Sequence, residues 1–149
     1  MRRILISGVV LMSMVASHAA RAAEVVVDML SRDASTNTSN LFKPGLVRIN
    51  KGDTVKWVAK QSGHNVSFIE GGVPTGVALF TSAPGKDATF KFDKPGVYLY
   101  KCAPHVGLGM VGLVVVGNDK SNLAAAKAAY IPPLAKKRLE PFFAELDRH

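Results

Sequence analysis

Four side chains in this sequence could together bind one metal ion. Cys102, His105 and Met110 lie close together in a single segment, and His64 lies well upstream. A thiolate, two imidazoles and a thioether are the donors of a trigonal His2Cys copper site with a weak axial methionine. Thiolate and thioether are soft donors that favour Cu(I), and imidazole binds both oxidation states, so such a site suits one-electron transfer. The donor types and their spacing predict a copper site.

Other chemistries explain these residues less well. Structural zinc sites commonly use several cysteines, and this chain has one. Haem attachment requires a Cys-x-x-Cys-His segment, which a single cysteine excludes. A Cys–His nucleophile pair remains an alternative on the residues alone, although it leaves Met110 and His64 without a role.

The segment 100–110 is expected to form a short loop between two strands. Gly107 and Gly109 allow such a loop to curl back on itself. The loop can therefore direct the thiol, the imidazole and the thioether towards one point. The fourth donor, His64, follows Gly63 where a strand meets a loop.

Short strands must position these residues. Apolar and polar residues alternate in runs separated by Gly, Pro and Asp turns, without a helical period, which favours an antiparallel β-sandwich. The predicted strands are 24–30, 46–50, 54–59, 88–92, 97–101 and 110–116. The polar run 31–40 is expected to be a loop, and 71–86 is expected to be irregular.

The pattern changes after Gly117. The run 118–130 is rich in alanine, with Ser121 or Asn122 placed to cap a helix. The pair Pro132-Pro133 must end that helix, and a helical pattern then resumes over 134–146. One face of this second helix is apolar and is expected to pack on the sandwich, a partner-binding face being the alternative. Its members are Ala135, Leu139, Phe142, Phe143 and Leu146.

The first 22 residues have the pattern of a secretory signal peptide. A charged start at Arg2-Arg3 precedes the apolar run 4–16, which is shorter than the roughly 20 residues of a membrane helix. Ala20-Arg21-Ala22 fits signal peptidase, so cleavage after Ala22 and export to the periplasm are expected, by either the Sec or the twin-arginine route. Residues 23–149 would then form one domain, with a sandwich over 23–117 and a helical extension over 118–149.

The mature chain is basic. Three of the 19 lysines and arginines lie in the leader, which leaves 16 basic against 11 acidic side chains and a net charge near +5. This balance favours acidic partners, and the absence of a basic-aromatic cluster argues against nucleic acid. Cys102 has no partner in the chain although exported proteins meet oxidising conditions. Without its neighbours, a buried inert thiol or an intermolecular disulfide would explain it equally well.

Several segments together resemble the blue-copper cupredoxin family, and within it the pseudoazurin type. The matching stretches are Gly52-Asp53-Thr54-Val55, Gly63-His64-Asn65-Val66, Pro95-Gly96-Val97-Tyr98, Lys101-Cys102-Ala103-Pro104-His105 and Gly109-Met110-Val111-Gly112. The Cys-x2-His-x4-Met loop is shared with plastocyanins, whereas the helical extension is not. The resemblance implies a mainly β protein, a Greek-key β-sandwich with two C-terminal α-helices.

The resemblance implies one type 1 copper ion in a monomeric electron carrier that is not an enzyme. Its ligands would be His64, Cys102, His105 and Met110, and Asn65 would tie the His64 segment to the Cys102 loop. Periplasmic acidic redox proteins would be its partners: copper nitrite reductase or another reductase as acceptor, and c-type cytochromes as donors. No stable membrane insertion is expected. A copper carrier or storage protein is the alternative, and a copper enzyme would need the coordination position that Met110 fills.

The family further implies that the ring of His105 forms an electron port within an uncharged docking patch. The other patch residues are Ala103, Pro104, Val106, Gly107 and Leu108. A basic rim would steer an acidic partner, and its residues would be Arg32, Lys43, Lys60 and Lys101.

Two positions depart from the family pattern. Ser31 stands where asparagine usually follows Met29-Leu30, and Val106 replaces an aromatic residue often found after the second histidine. The serine is expected to change the hydrogen bonding around the site. The valine would alter the exposed face more than the ligation.

Overall fold

The computed structural model describes residues 22–148, so the predicted signal peptide lies outside it except for Ala22. Eight strands form two four-stranded sheets, in the orders β2-β1-β4-β6 and β3-β8-β7-β5. The strands are β1 (Glu24–Asp33), β2 (Thr38–Lys43), β3 (Leu46–Ile49), β4 (Thr54–Ala59), β5 (Ser67–Phe68), β6 (Ala88–Lys91), β7 (Gly96–Lys101) and β8 (Val111–Val116). A 3-10 helix (Ala103–Leu108) joins β7 to β8, and α1 (Leu123–Ala128) and α2 (Pro133–Arg148) follow. The predicted two-sheet fold with two C-terminal helices is confirmed.

The sheets are mixed rather than purely antiparallel. β1 runs parallel to β4, and β3 runs parallel to β8. The chain passes repeatedly from one sheet to the other, so strands that are neighbours in a sheet are often distant in sequence, and such strands can pair in either direction. The prediction of an antiparallel sandwich is therefore wrong at these two pairs.

The polar run 31–40 is not a loop. It contains the end of β1, a tight turn and the start of β2, which pair antiparallel as a hairpin. The carboxylate of Asp33 closes the turn because it accepts hydrogen bonds from the backbone N–H and hydroxyl of Ser35 and from Lys43 Nζ. The polar side chains belong to the outermost hairpin of its sheet, where many of them face water. This extension of β1 carries Ser31 to the metal-binding end of the sandwich.

Aromatic side chains fill the interior between the sheets. Trp57, Phe92, Tyr98 and Tyr100 are almost completely buried. Tyr100 meets Trp57 edge-on, with ring centroids 5.3 Å apart, a geometry that adds to the energy of apolar burial. Tyr100 also packs so tightly on β8 that a Cβ at Gly112 would lie 2.4 Å from its hydroxyl oxygen. The core therefore requires glycine at that position.

The two helices cover the outer face of the sheet that contains β8. Ala135, Leu139 and Leu146 of α2 are fully buried against this sheet, so β8 is buried on both of its faces. Asn122 precedes α1 as predicted, but its amide bonds the backbone N–H and carbonyl of Val97 on β7 rather than the helix. It fastens the helical extension to the sandwich.

Within residues 22–148, no helix has both the length and the hydropathy that crossing a bilayer requires.

Candidate metal centre

Three of the predicted donors converge at one end of the sandwich. Cys102 Sγ lies 3.4 Å from His105 Nδ1 and 3.8 Å from His64 Nδ1, and the two nitrogens are 3.1 Å apart. A point equidistant from the three atoms lies about 2.0 Å from each, close to the roughly 2.0–2.3 Å of metal bonds to histidine nitrogen and cysteine sulfur. The triangle therefore has the size that a bound metal ion requires.

The loop that carries Cys102 closes through backbone hydrogen bonds. The N–H of Cys102 donates to the carbonyl of Met110 at 3.0 Å, and the N–H of Met110 donates to the carbonyl of His105 at 3.1 Å. Gly109 has a φ of 87°, a left-handed conformation that favours glycine. These contacts close the loop that carries the cysteine, the histidine and the methionine.

Burial distinguishes the donors from one another. His64, Cys102 and Met110 have no exposed surface, whereas His105 is half-buried. A metal ion held here would be shielded from water on the side of the protein core. His105 alone connects the site to the surface.

The segment of His64 is held from both sides. Its carbonyl accepts a hydrogen bond from the N–H of Gly85 at 2.8 Å, and its ring nitrogen Nε2 lies 2.9 Å from the hydroxyl of Ser31. The next residue, Asn65, accepts a hydrogen bond from the backbone N–H of Ala103 at 2.8 Å. The two chain segments that supply the donors are therefore joined by hydrogen bonds within the protein.

Burial favours the neutral forms of the Cys102 thiol and the His64 ring. Burial raises the pKa of the Cys102 thiol, although hydrogen bonds from the backbone N–H groups of Asn65 and His105 oppose this shift. Burial also lowers the pKa of His64, and the charge of His105 adds to that effect. A neutral imidazole is ready to bind a cation, and the cation displaces the thiol proton as it binds.

The residues of the predicted docking patch surround His105 on the surface. Ala103, Pro104 and Gly107 are exposed, as is Leu108 at 53% of its area, while Val106 is half-buried. None of them carries a charge. They form a continuous stretch of the 3-10 helix, so the apolar surface and the ring of His105 belong to the same element.

The residues of the predicted basic rim differ in whether a carboxylate of the chain pairs with their charge. Lys43 forms an ion pair with Asp33 at 2.6 Å, and Lys60 lies 3.7 Å from Asp28. Arg32 hydrogen bonds to the side chain of Asn37. Lys101 at the end of β7 forms no ion pair with any residue that the structure describes.

Lys43 and Lys60 are therefore partly neutralised within the chain. Lys101 immediately precedes Cys102 and carries a charge that no described carboxylate offsets. Arg32 likewise forms no ion pair with a described carboxylate, so Lys101 and Arg32 are the rim residues whose charges are not paired within the described chain.

Sequence reasoning missed the contribution of helix α2 to the site. The guanidinium of Arg138 donates to the carbonyls of Ser39 and Asn40 and lies against the ligand loop, 3.3 Å from where a Cβ of Gly109 would be. Leu134 packs on the same glycine. Only the packing of α2 on the loop reveals this contact, since the helical pattern predicts a buried face but not what that face touches.

Comparisons with known proteins agree with this arrangement. The family of copper-binding proteins described as the plastocyanin/azurin family matches residues 30–117. A pseudoazurin from Methylorubrum extorquens is 45% identical over 127 residues, which cover 85% of this chain and 84% of that protein.

Two solved structures are similar over most of their length. The crystal structure of pseudoazurin from Methylobacterium extorquens AM1 has a TM-score of 0.78 at 45% identity and covers 83% of this chain and 98% of that one. Native pseudoazurin from Hyphomicrobium denitrificans has a TM-score of 0.76 at 39% identity, with 82% and 97% covered. The family match over residues 30–117 includes the ligand loop and most of both sheets.

Proposed function

Because the chain belongs to the plastocyanin/azurin family of copper-binding proteins, and within it to the pseudoazurins, we propose that it shuttles electrons between periplasmic redox proteins. It is a blue-copper electron-transfer protein and not an enzyme, and its cofactor is one type 1 copper ion. When bound, copper supplies a one-electron Cu(I)/Cu(II) couple. The observation that carries the proposal is the triangle of His64, Cys102 and His105, whose size fits a metal ion.

We assign the copper ligands as His64 Nδ1, His105 Nδ1, Cys102 Sγ and the thioether of Met110. The three donors of the triangle supply the strong bonds, and the fully buried Met110 closes the loop beside them. Backbone hydrogen bonds and the contact of Asn65 with Ala103 hold these groups in place. A site that is already arranged requires little movement when its charge changes, which favours fast electron transfer.

We assign the exchange of electrons to the exposed edge of His105. This ring is the member of the triangle that reaches the surface, and it lies within the uncharged docking patch of Ala103, Pro104, Val106, Gly107 and Leu108. Uncharged residues can be desolvated by a partner at little cost. A partner that covers the patch therefore brings its own redox centre close to the ring.

The partners we propose are acidic redox proteins. A copper nitrite reductase or another periplasmic reductase would accept the electron, and a c-type cytochrome would supply it. Lys101 beside the ligand loop supports this choice, because its charge is not offset by a carboxylate within the described chain. Such charges increase association rates more than affinity.

The test of the proposed function is the visible spectrum of the copper-loaded protein. We expect an intense band from charge transfer between the Cys102 thiolate and copper, and Cys102→Ser should abolish it. Circular dichroism of both proteins controls for folding. A colourless copper-loaded protein would contradict the proposal, and loss of copper to an acceptor during repeated redox cycles would favour a copper carrier instead.

The docking proposal is tested by electron transfer to copper nitrite reductase at several salt concentrations. We expect Lys101→Ala to slow the reaction at low salt by up to about tenfold, as a fraction of the 10- to 1,000-fold available from electrostatic steering. Lys51→Ala is the matched control, because it removes the same charge at the opposite end of the sandwich. The electron-transfer rates of the two variants should become equal at high salt, where the charges are screened. Equal rates at low salt would refute the role of Lys101.

A further inference from the structure

The ring of His64 has one polar partner outside the donor triangle. Its Nδ1 atom faces Cys102 and His105, and its Nε2 atom lies 2.9 Å from the hydroxyl oxygen of Ser31. The histidine has no exposed surface, so water does not reach this nitrogen. Within residues 22–148, Ser31 is the hydrogen-bond partner of Nε2.

The position of Ser31 is itself fixed by Gln61. The parallel pairing of β1 with β4 ends at Met29 and Ala59. Beyond that point the side-chain oxygen of Gln61 accepts hydrogen bonds from the backbone N–H groups of Ser31 and Arg32. The side chain of Gln61 thus continues the pairing past the end of the ladder and holds Ser31 beside His64.

We propose that Ser31 is a positioning residue that fixes the ring orientation of His64 for copper. When Nε2–H donates to the serine oxygen, the lone pair of Nδ1 points into the triangle, which is the form that a metal requires. The inference deepens the proposed function and depends on it. It concerns the anchoring histidine of this chain, at a position where the family usually has asparagine.

A serine hydroxyl can maintain this contact in both tautomers of the ring. It accepts a hydrogen bond from Nε2–H, and it can equally donate one to an unprotonated Nε2. In the second case Nδ1–H faces His105 Nδ1, 3.1 Å away, which can accept. The bond to Ser31 therefore persists whichever nitrogen carries the proton, and His64 stays oriented before copper enters.

The experiment compares Ser31→Val with Ser31→Thr. The two side chains have nearly the same shape and both suit a strand, but only threonine keeps the hydroxyl. The valine methyl group also occupies the space that water could take in Ser31→Ala. Ser39→Ala on β2 is the control, because the exposed hydroxyl of Ser39 makes no hydrogen bond to the described residues.

The readouts are copper affinity by competition titration, the electron paramagnetic resonance spectrum, and nitrogen NMR of His64 in the copper-free protein. We expect Ser31→Val to weaken copper binding about 10- to 100-fold, as is typical when the group that orients a ligand is lost. Its electron paramagnetic resonance spectrum should change, and the nitrogen NMR signal of His64 Nε2 should shift because its hydrogen bond is lost. Ser31→Thr and Ser39→Ala should match the wild type in all three.

Wild-type affinity and an unchanged spectrum in Ser31→Val would overturn the inference. Urea unfolding of the copper-free variants separates a local effect from lost stability, and Ser31→Ala provides a second variant should valine prevent folding. A wild-type protein that binds copper without the blue spectrum would contradict the proposed function. A blue wild type with a normal valine variant would reject only the role of Ser31.

Discussion

The side-chain oxygen of Asn65 lies 2.8 Å from the backbone nitrogen of Ala103. This hydrogen bond joins the residue after His64 to the residue after Cys102. One residue therefore fixes the separation of two donors that lie far apart in the chain.

Replacing Asn65 by alanine should loosen this connection. Asn65 is 4% exposed, so the loss of its hydrogen bonds should lower the free energy of unfolding of the copper-free protein by about 1–3 kcal/mol. Urea denaturation measures the loss. Asn65→Asp is the comparison variant, because it keeps an oxygen for Ala103 but cannot donate to the carbonyl of Ser82. Equal stability of the alanine variant and the wild type would show that the bond contributes nothing.

Changing Met110 should shift the reduction potential while copper remains bound. Glutamine supplies an oxygen that stabilises Cu(II) more than a thioether does, so Met110→Gln should lower the potential, and Met110→Leu should raise it by removing the donor. The shift is about 59 mV for each tenfold change in the relative affinity for the two oxidation states. Voltammetry measures it. Unchanged potentials in both variants would exclude Met110 as a ligand, and complete loss of copper would mean that its contribution exceeds that of a weak axial donor.

Gly112→Ala should destabilise the sandwich. The new methyl group would lie 2.4 Å from the hydroxyl oxygen of Tyr100, within a core that has no room to shift. Overpacking of this kind costs about 1–3 kcal/mol. Gly107→Ala is the control, since a Cβ there meets nothing within 4 Å. A thermal denaturation midpoint that drops equally in both variants would show that the contact with Tyr100 is not the cause.

Alkaline pH should reveal the burial of Tyr98. Burial, and secondly the charge of Asp93, raise the pKa of Tyr98 to about 12, against about 10 in an unfolded chain. Between these values the unfolded chain releases the proton first, so the native state should lose up to about 1.4 kcal/mol of stability per pH unit from this residue. Below about pH 10 both states hold the proton and the effect is absent.

Tyr98→Phe provides the measurement. At pH 8 it should be less stable than the wild type by about 1 kcal/mol, because the hydroxyl of Tyr98 donates to the carbonyl of Lys94. Urea unfolding between pH 8 and 11 should show this difference narrowing as the pH rises. The exposed Tyr130 is the control, and Tyr130→Phe should follow the wild type. A constant difference across the range would contradict the raised pKa.

Much of the fold follows from local pattern. The strand predicted at 54–59 matches β4, and the second predicted helix matches α2 to within a few residues. Alternation and helical periodicity encode these elements because each has one face in the core. The hairpin around Asp33 was missed because its polar residues lie on an outer hairpin and produce no apolar signal.

Local sequence pattern predicts only part of the candidate metal site. Cys102, His105 and Met110 belong to one loop, so their spacing alone predicts that they converge. The resemblance places Ser31 near the site, but its partner His64 and the packing of Arg138 on Gly109 depend on how distant segments meet after folding. A single sequence contains no local pattern for such contacts.

The half-buried ring of His105 has a consequence for how the protein works in a chain of carriers. On the proposed assignment of electron exchange to this ring, one face serves both donor and acceptor, so the two partners compete for it and a complex with one excludes the other. Every delivery then includes a complete dissociation. A partner with a dissociation constant of about 1 μM and an association rate constant of about 10⁷ M⁻¹s⁻¹ dissociates at about 10 s⁻¹. Rapid throughput therefore requires weak, brief complexes, and tighter docking would slow the flow of electrons.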